Sequence, residues 1–434
     1  MIIYPKRINK SNYKENLKNP KTFYGLDTNI KFCKKCTYSN QKPTSEKEYK
    51  HKRDTKKNTL LFDHEGICYA CRILEKKEKI DWDYRKHQLK KLCDKFRSRN
   101  GNYDCLVPGS GGKDSFYAAY KLKYEFGMNP LTVTWSPHLY TDWGWKNFNS
   151  WIGAGFANYL LTPNGKTHRI LTRLALEKLF HPFQPFMLGQ QHFPPRAAIQ
   201  LFKIPLVFYG DMNAEFGSPD DYNDPSRNSK FFSTKKKSDI LIAGTPLEEL
   251  VRKYEVSIQD LLPFMPLQNS ELKNSVLHVH YLGYYLKWHP QECYYFAADK
   301  GGFQASPERT AGTYSKYNSI DDKLDDFHYY TTYIKFGIGR ATYDSAQEIR
   351  NKEINREEGI ALVKKFDGEF PERFSKEIFD YLSINKKKFP KAYKNFEQPI
   401  MDLKYFNLLS DKFRSPHIWK FCKNKWKLRK TVWN

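Results

Sequence analysis

The sequence lacks any run of about 18 consecutive apolar residues, the length that spans a bilayer as a helix. Its mean hydropathy is −0.76. The opening residues, MIIYPKRINK, also lack the apolar segment of a secretory signal peptide. We therefore expect a cytoplasmic protein without a membrane span.

Cysteine and repeated sequence are scarce as well. Eight cysteines in 434 residues are too few for a disulfide-stabilised scaffold, and no internal repeat or low-complexity linker stands out. Aromatic residues make up 16% of the chain, which supplies enough apolar surface to argue against disorder. The length allows two or three domains.

Acidic residues are outnumbered by basic ones. The chain has 73 Lys and Arg against 48 Asp and Glu, a net charge of +25. This charge favours polyanionic partners such as nucleic acid, phosphorylated ligands or an anionic membrane surface. The lysines are spread along the whole chain, however, which is equally typical of a solvated surface.

A strand, a glycine-rich loop, a helix and a second strand follow each other in the first half of the chain. Residues 103–107 (YDCLV) and 131–135 (LTVTW) have the composition of buried strands, and residues 116–126 have a helical pattern. This succession predicts a βαβ unit in a parallel sheet. We expect residues 206–209 (LVFY) and 239–243 (DILIA) to continue that sheet.

Other segments carry weaker structural signals. The polar residues 1–30 are expected to form a loosely attached arm, and residues 73–99 have the spacing of one or two helices. Proline and glycine in residues 181–192 (HPFQPFMLGQQH) favour a loop. Beyond residue 342 the pattern is mainly helical.

The glycine-rich loop, SGGKDS, carries the strongest chemical signal. Successive glycines let backbone N–H groups converge on an anion, and the N-terminus of the following helix adds positive potential. The serine hydroxyls can donate to phosphate oxygens, and Lys113 can pair with phosphate charge. Asp114 would be repelled by phosphate unless it held Mg²⁺ against it. The predicted phosphate site consists of Ser110, Gly111, Gly112, Lys113, Asp114 and Ser115.

The loop is neither a Walker A motif nor a dinucleotide-binding GxGxxG motif. It resembles the pyrophosphate loop (PP-loop) of the ATP pyrophosphatase superfamily. Those enzymes cleave ATP between the α and β phosphates, adenylate a substrate oxygen and let a nucleophile displace AMP. An ordinary glycine-rich turn is the alternative, but the position between a strand and a helix favours the nucleotide site.

Four cysteines form two CxxC pairs. They are Cys33, Cys36, Cys68 and Cys71. This spacing lets both thiolates of a pair face one ion, so the pairs predict a tetrahedral Zn²⁺ site, structural because no coordination position stays open. A disulfide, or chance spacing, is the alternative. The remaining cysteines are expected to be buried thiols.

Acidic residues follow the LVFY strand. Asp211 and Glu215 belong to residues 210–217 (GDMNAEFG), which should face the same crevice as the glycine-rich loop. Both are candidate metal ligands or general bases, with a capped turn as the alternative.

Four more carboxylates crowd into residues 320–326 (IDDKLDD). They would repel each other unless paired or metal-bound, and a solvated turn is again possible. Lys323 and Arg309 could neutralise some of this charge. Whether Asp322, Asp325 or Arg309 is catalytic stays open.

Taken in order, these motifs resemble the N-acetyl sugar amidotransferases, bacterial enzymes of O-antigen and of flagellar, pseudaminic-type sugar biosynthesis. The resemblance extends from about residue 32 to residue 371, and its most specific parts are DDKLDD (321–326) and KFGIGRAT (335–342). Family members usually carry Gly-Glu where this chain has Gly210-Asp211.

The resemblance implies that an N-acetyl group of a nucleotide-linked sugar becomes an acetamidino group through an adenylated imidate and ammonia. It implies ATP, Mg²⁺ and Zn²⁺ as cofactors. It also implies a glutaminase partner and an ammonia-channelling partner, similar to the imidazole-glycerol-phosphate synthase pair. The candidate catalytic residues are Lys113, Asp114, Asp211 and Glu215.

We therefore expect an α/β fold with a Rossmann-like parallel sheet of the adenine nucleotide alpha hydrolase type. Residues 1–99 would form the arm and zinc region, residues 100–335 the PP-loop domain and residues 336–434 a mostly helical region. A tRNA-thiolating PP-loop enzyme is the main alternative, although its cysteine pair commonly lies near the ATP site, so nucleic acid is not the expected partner. The second alternative is a non-enzymatic, zinc-bearing scaffold whose ATP loop is vestigial.

Overall fold

The computed structural model describes residues 2–44, 47–218 and 224–434. Among these residues, no helix combines the length and the apolar character that crossing a bilayer requires.

The strands are short, and most of them lie in the first two thirds of the chain. They are β1 (Cys105–Pro108), β2 (Pro130–Trp135), β3 (Asn158–Leu161), β4 (Leu206–Tyr209), β5 (Ser233–Thr234), β6 (Leu241–Ile242), β7 (Thr245–Pro246), β8 (Leu267–Gln268), β9 (His278–Tyr281), β10 (Trp419–Cys422) and β11 (Lys425–Leu428).

The helices surround the strands and dominate the C-terminal region. They are α1 (Tyr69–Lys77), α2 (Trp82–Phe96), α3 (Lys113–Tyr120), α4 (Asp142–Gly153), α5 (Gly165–Leu179), α6 (Gln184–Ala197), α7 (Leu247–Lys253), α8 (Ile258–Leu261), α9 (Asn269–Lys273), α10 (Leu282–Tyr285), α11 (Pro290–Gly301), α12 (Asp325–Phe336), α13 (Arg340–Arg350), α14 (Arg356–Phe366), α15 (Ser375–Leu382) and α16 (Leu403–Asp411).

A five-stranded parallel sheet with the order β3-β2-β1-β4-β9 forms the centre of the molecule. Successive side chains of β1 enter different cores, because Leu106 packs in the cluster on one face and Val107 in the cluster on the other. Helix α6 covers the first face and α3 the second. The predicted α/β fold with a parallel sheet is therefore confirmed.

This strand order sets the position of a ligand site. The chain moves outward from β1 to β2 and β3, then returns to the other side of β1 with β4. Open parallel sheets bind ligands at such a reversal, beyond the carboxyl ends of the strands. The glycine-rich loop follows β1 and the loop of Asp211 follows β4, so both lie at this position.

Several local predictions are wrong. Residues 239–243 do not extend the parallel sheet, because β6 pairs antiparallel with β7. Residues 181–192 are not a loop, because most of them belong to α6. Pro185 in its first turn needs no N–H partner, and burial in the core supports the helix around Pro194 and Pro195.

The N-terminal segment is not a loose arm. The hydroxyl of Tyr13 donates to the carbonyl of Arg414 (2.8 Å), and that of Tyr24 donates to the carbonyl of Phe413 (2.9 Å). Both rings are buried in the main core. A few aromatic side chains therefore anchor a segment whose composition is otherwise polar.

Candidate functional site

A cavity of about 300 Å³ lies at the reversal of the sheet, and the glycine-rich loop forms one wall of it. Its other walls come from the segment around residues 317–321, from Arg340 and Gln347 on α13, and from Trp288. The lining residues taken from the loop are Ser110, Gly112, Lys113 and Asp114.

Gly111 of the loop lies directly against α4, and Gly109, which precedes the loop, lies against Ser115 of α3. Gly111 has φ +86°, and a Cβ there would lie 2.7 Å from the carbonyl oxygen of Asn147. A Cβ on Gly109 would lie 2.1 Å from Cβ of Ser115. Neither backbone nor helix can yield at these distances, so a side chain would displace the loop. The Ser115 hydroxyl donates to the Gly112 carbonyl (3.0 Å), which closes the turn into α3.

Asp114 is held in place by two donors. Nζ of Lys113 lies 2.6 Å from Oδ2, and Nε1 of Trp288 donates to Oδ1 over 2.9 Å. The carboxyl group therefore stands on the cavity wall in a fixed orientation. The sequence predicted Lys113 and Asp114 for this site, but it carried no signal for Trp288.

Asp211 approaches Asp114 from the neighbouring strand end. A Cβ on Gly210 would lie 2.6 Å from the backbone carbonyl of Asp114, so the two loops touch. Burial raises the pKa of Asp211, and the negative charge of Asp114 raises it further. Carboxylates in such proximity favour a divalent cation, whose charge would relieve their repulsion. The structure thus brings Asp211 and Asp114 together.

Glu215 is occupied by a buried ion pair. Its Oε1 lies 2.7 Å from Nζ of Lys77, and the Lys77 side chain is only 1% exposed. The same ammonium donates to the carbonyl of Trp288. Burial raises the pKa of Glu215, and Lys77 opposes this shift. Lys77 of α1 thus links Glu215 to the segment of Trp288. Phe216, next to Glu215 in the chain, lines the cavity.

The IDDKLDD segment (320–326) contains four aspartates, and the sequence did not show what each of them contacts. Asp321 lines the cavity; burial raises its pKa, and a hydrogen bond with Ser110 opposes the shift. Asp322 accepts from the backbone N–H of His138 (2.7 Å), and its Oδ2 also lies 2.7 Å from Nδ1 of that histidine. The first aspartate therefore faces the glycine-rich loop, and the second ties the turn to the segment after β2.

The other charges of this region are paired. Asp326 lies 3.2 Å from Nη2 of Arg373. The expectation that Lys323 and Arg309 neutralise the aspartates is wrong, because they pair with Glu377 and Glu369 instead. Burial raises the pKa of Asp325 to about 7, against the attraction of Arg340. Pairing and burial thus resolve the repulsion that the sequence pattern indicated.

The four paired cysteines form a buried cluster. Their sulfurs lie within 4.8 Å of one another, with Cys33–Cys71 at 3.9 Å and Cys36–Cys68 at 3.7 Å. A tetrahedral ion with bonds of about 2.3 Å requires sulfur separations of about 3.8 Å, whereas a disulfide requires about 2.05 Å. Backbone N–H groups donate to the sulfur of Cys33 (3.3 Å each), which stabilises a thiolate. The donor set fits one tetrahedral metal ion.

Comparisons with known proteins give a partial match and two weaker ones. Residues 311–432 match the model of the C-terminal domain of WbpG-like LPS biosynthesis proteins. An uncharacterized protein of Methanocaldococcus jannaschii is 32% identical over 81 residues, 18% of this chain and 29% of that protein. This chain therefore aligns with less than a third of that relative.

A solved structure, the U34-tRNA thiolase NcsA from Methanococcus maripaludis with its 4Fe-4S cluster, aligns at a TM-score of 0.27. The alignment has 13% identity and covers 72% of this chain and 87% of that chain.

The family match includes residues 317–321, Arg340 and Gln347, which line the cavity with the glycine-rich loop. This match supports the resemblance of the motifs to proteins of lipopolysaccharide biosynthesis.

Proposed function

We propose that the protein is an ATP-dependent amidotransferase that converts an N-acetyl group of a nucleotide-linked sugar to an acetamidino group. The product would serve O-antigen biosynthesis or the synthesis of a pseudaminic-type flagellin glycan. One observation carries the proposal: a single cavity is built from the SGGKDS loop and from the segment that matches the LPS biosynthesis family.

The chemistry follows from the weakness of an amide as an electrophile. The carbonyl oxygen of the acetyl group attacks the α phosphorus of ATP, and pyrophosphate leaves. Ammonia then adds to the carbon of the adenylated imidate, and AMP departs with the former carbonyl oxygen. The nitrogen of ammonia stays on the sugar as the new C=N group. The acetyl oxygen therefore ends in AMP, and nitrogen takes its place on the acetyl carbon.

The residues of the loop suit the first step. Backbone N–H groups of a glycine turn and the Lys113 ammonium can stabilise the charge that develops on departing pyrophosphate. Asp114, Asp211 and Asp321 are the residues that would hold Mg²⁺. When bound, Mg²⁺ would neutralise phosphate charge and orient the leaving group.

Ammonia would come from a glutaminase partner through an ammonia-channelling partner. Cys93, Cys105 and Cys293 are buried, and burial raises the pKa of each thiol, that of Cys93 to about 12. Thiols in this state are poor nucleophiles, so they do not suit glutamine hydrolysis. We assign Zn²⁺ to the four-cysteine cluster as a structural ion, because four thiolates leave no position for a substrate.

The test uses the full chain with ATP, Mg²⁺, ammonium chloride and a panel of UDP- and CMP-linked N-acetyl sugars. Ammonium replaces the partner proteins. We expect AMP and pyrophosphate in equal amounts and a sugar product lighter by about one dalton, because NH replaces O in the adenylated group. AMP release that requires tRNA and a sulfur donor instead of any sugar would contradict the proposal and favour the thiolating alternative.

A further inference from the structure

A second cavity of about 350 Å³ adjoins the cavity of the glycine-rich loop. Four residues line both of them: Phe216, Tyr329, Arg340 and Gln347. The second cavity extends from this junction toward α12 and toward the segment that carries Lys42 and Glu48. A reaction that joins an atom of a nucleotide to an atom of a second substrate requires two such adjoining spaces.

The charged residues that line the second cavity are mostly basic. They are Lys42, Lys57, Lys335 and Arg340, against the carboxylates of Glu48 and Asp344. Both carboxylates already have partners. Glu48 lies 3.0 Å from Nδ1 of His51, and Asp344 lies 3.0 Å from Nε of Arg340 and accepts from the Thr313 hydroxyl over 2.6 Å.

Lys335 is a buried amine without a matching anion. Lys335 is 8% exposed, and its ammonium donates to the backbone carbonyl of Leu179 over 2.8 Å. Within the described part of the chain, no carboxylate lies at ion-pair distance from it. The rings of Tyr24 and Phe336 lie 5.1 Å and 5.3 Å from the ammonium, but two of its three donors make no hydrogen bond with the described residues. Burial lowers the pKa of Lys335 to about 7, and the charge of Lys57 adds to this effect while Glu48 opposes it.

A buried ammonium that has only a neutral acceptor is costly unless a ligand supplies the countercharge. Lys42 of the same cavity lies in similar surroundings: it is 3% exposed and donates to the carbonyls of Phe216 (2.6 Å) and Pro43 (3.3 Å). An anion that entered the cavity would therefore meet unused donors of Lys335, and its negative charge would favour the protonated form of that amine.

We propose that the second cavity is the acceptor site and that Lys335 binds an anionic group of the N-acetyl sugar. This inference rests on the proposed function and assigns its second substrate. The anionic group is either the phosphate of the nucleotide link or a carboxylate of the sugar. The N-acetyl group would then lie at the junction, within reach of the nucleotide.

Arg340 is the basic residue that the two cavities share. Its guanidinium is fixed by Asp344 and by the Tyr329 hydroxyl. A guanidinium in this position can donate to an α-phosphate oxygen on one side and to the acyl oxygen on the other. Charge develops on both groups as the carbonyl oxygen attacks phosphorus, so the junction is where a fixed cation stabilises the transition state most.

Calorimetric titration tests the assignment without requiring turnover. The ligands are UDP-N-acetylglucosamine, N-acetylglucosamine 1-phosphate, N-acetylneuraminic acid and neutral N-acetylglucosamine. The proteins are the wild type, Lys335→Gln, Lys335→Arg and the exposed control Lys388→Gln. A non-hydrolysable ATP analogue serves as the reference ligand for each variant.

We expect the wild type to bind at least one anionic ligand more tightly than the neutral sugar. Lys335→Gln should weaken that binding by about tenfold or more, the loss expected for one charge-assisted contact. Lys335→Arg should restore most of it, and Lys388→Gln should not change it. The ATP analogue should bind all four proteins equally. If the two phosphate-bearing sugars bind through Lys335, the anionic group is the phosphate of the nucleotide link. If N-acetylneuraminic acid does so instead, it is a carboxylate of the sugar.

The inference is overturned if the wild type binds none of the anionic ligands, or if Lys335→Gln binds them as tightly as the wild type does. If sugars support AMP formation and Lys335→Gln leaves binding unchanged, the proposed function stands and the acceptor site is wrong. If binding depends on Lys335 but no sugar supports AMP formation, the anion site stands and the proposed function is wrong.

Discussion

Replacing Asp114 by asparagine is expected to lower the rate of AMP release by about a hundredfold or more. The carboxyl group is held on the cavity wall by Lys113 and Trp288, and it lies beside Asp211. Asparagine keeps the size and can still accept from the Trp288 indole, but it removes the negative charge that would hold Mg²⁺. The substitution therefore separates charge from shape.

The measurement is the initial rate of AMP and pyrophosphate formation, with melting recorded for each protein. Asp299→Asn, at a side chain 70% exposed, is the matched control and should behave as the wild type does. Raising the Mg²⁺ concentration should restore part of the rate if Asp211 and Asp321 still hold the ion weakly. Wild-type turnover by Asp114→Asn would contradict the role of this carboxylate.

Removing one ligand of the four-cysteine cluster is expected to destabilise the chain rather than to slow the reaction alone. Binding of structural zinc contributes about 10 kcal/mol or more in small zinc domains, so loss of the ion should lower the melting temperature by at least about 5 °C. Cys36→Ser tests this at a fully buried position. Cys422→Ser, at a half-buried isolated cysteine, is the control.

Metal analysis accompanies the melting curves. We expect one zinc ion per wild-type chain, with the loss of zinc and of stability occurring together in Cys36→Ser. A chelator that removes the ion should reproduce the effect in the wild type. Unchanged melting in Cys36→Ser together with a wild type that contains no zinc would contradict a structural zinc site.

The part of the site that the sequence predicted is local in the chain. The strand, the glycine loop and the helix of the βαβ unit follow each other within one segment, so composition and spacing were sufficient. The position of Asp211 also followed, because the carboxyl ends of parallel strands meet at one edge of the sheet. The CxxC spacing likewise needed no knowledge of the fold.

The remainder depends on contacts between distant segments. Lys335 resembles any other lysine of a basic chain in sequence, and only the packing of α12 makes it a buried cation. Trp288 reaches Asp114 from far along the chain. The ion pair of Lys77 with Glu215 similarly joins two segments that no local pattern connects.

The IDDKLDD segment shows the same limit within a few residues. The sequence indicated four carboxylates in mutual repulsion, which was sufficient to mark the segment as unusual. It did not indicate that His138 engages Asp322, that Arg373 engages Asp326, or that Asp321 faces the nucleotide loop. Those partners come from other elements, so the role of each aspartate became visible only in the folded chain.

The central claim is that the oxygen of an acyl group is adenylated and then expelled with AMP. The most direct test uses an N-acetyl sugar that supports AMP release, labelled with ¹⁸O at the acetyl carbonyl, and measures the mass of the AMP that is formed. We predict that the label moves into AMP and leaves the sugar as nitrogen enters it. Unlabelled AMP, with ¹⁸O retained on the sugar, would contradict the account.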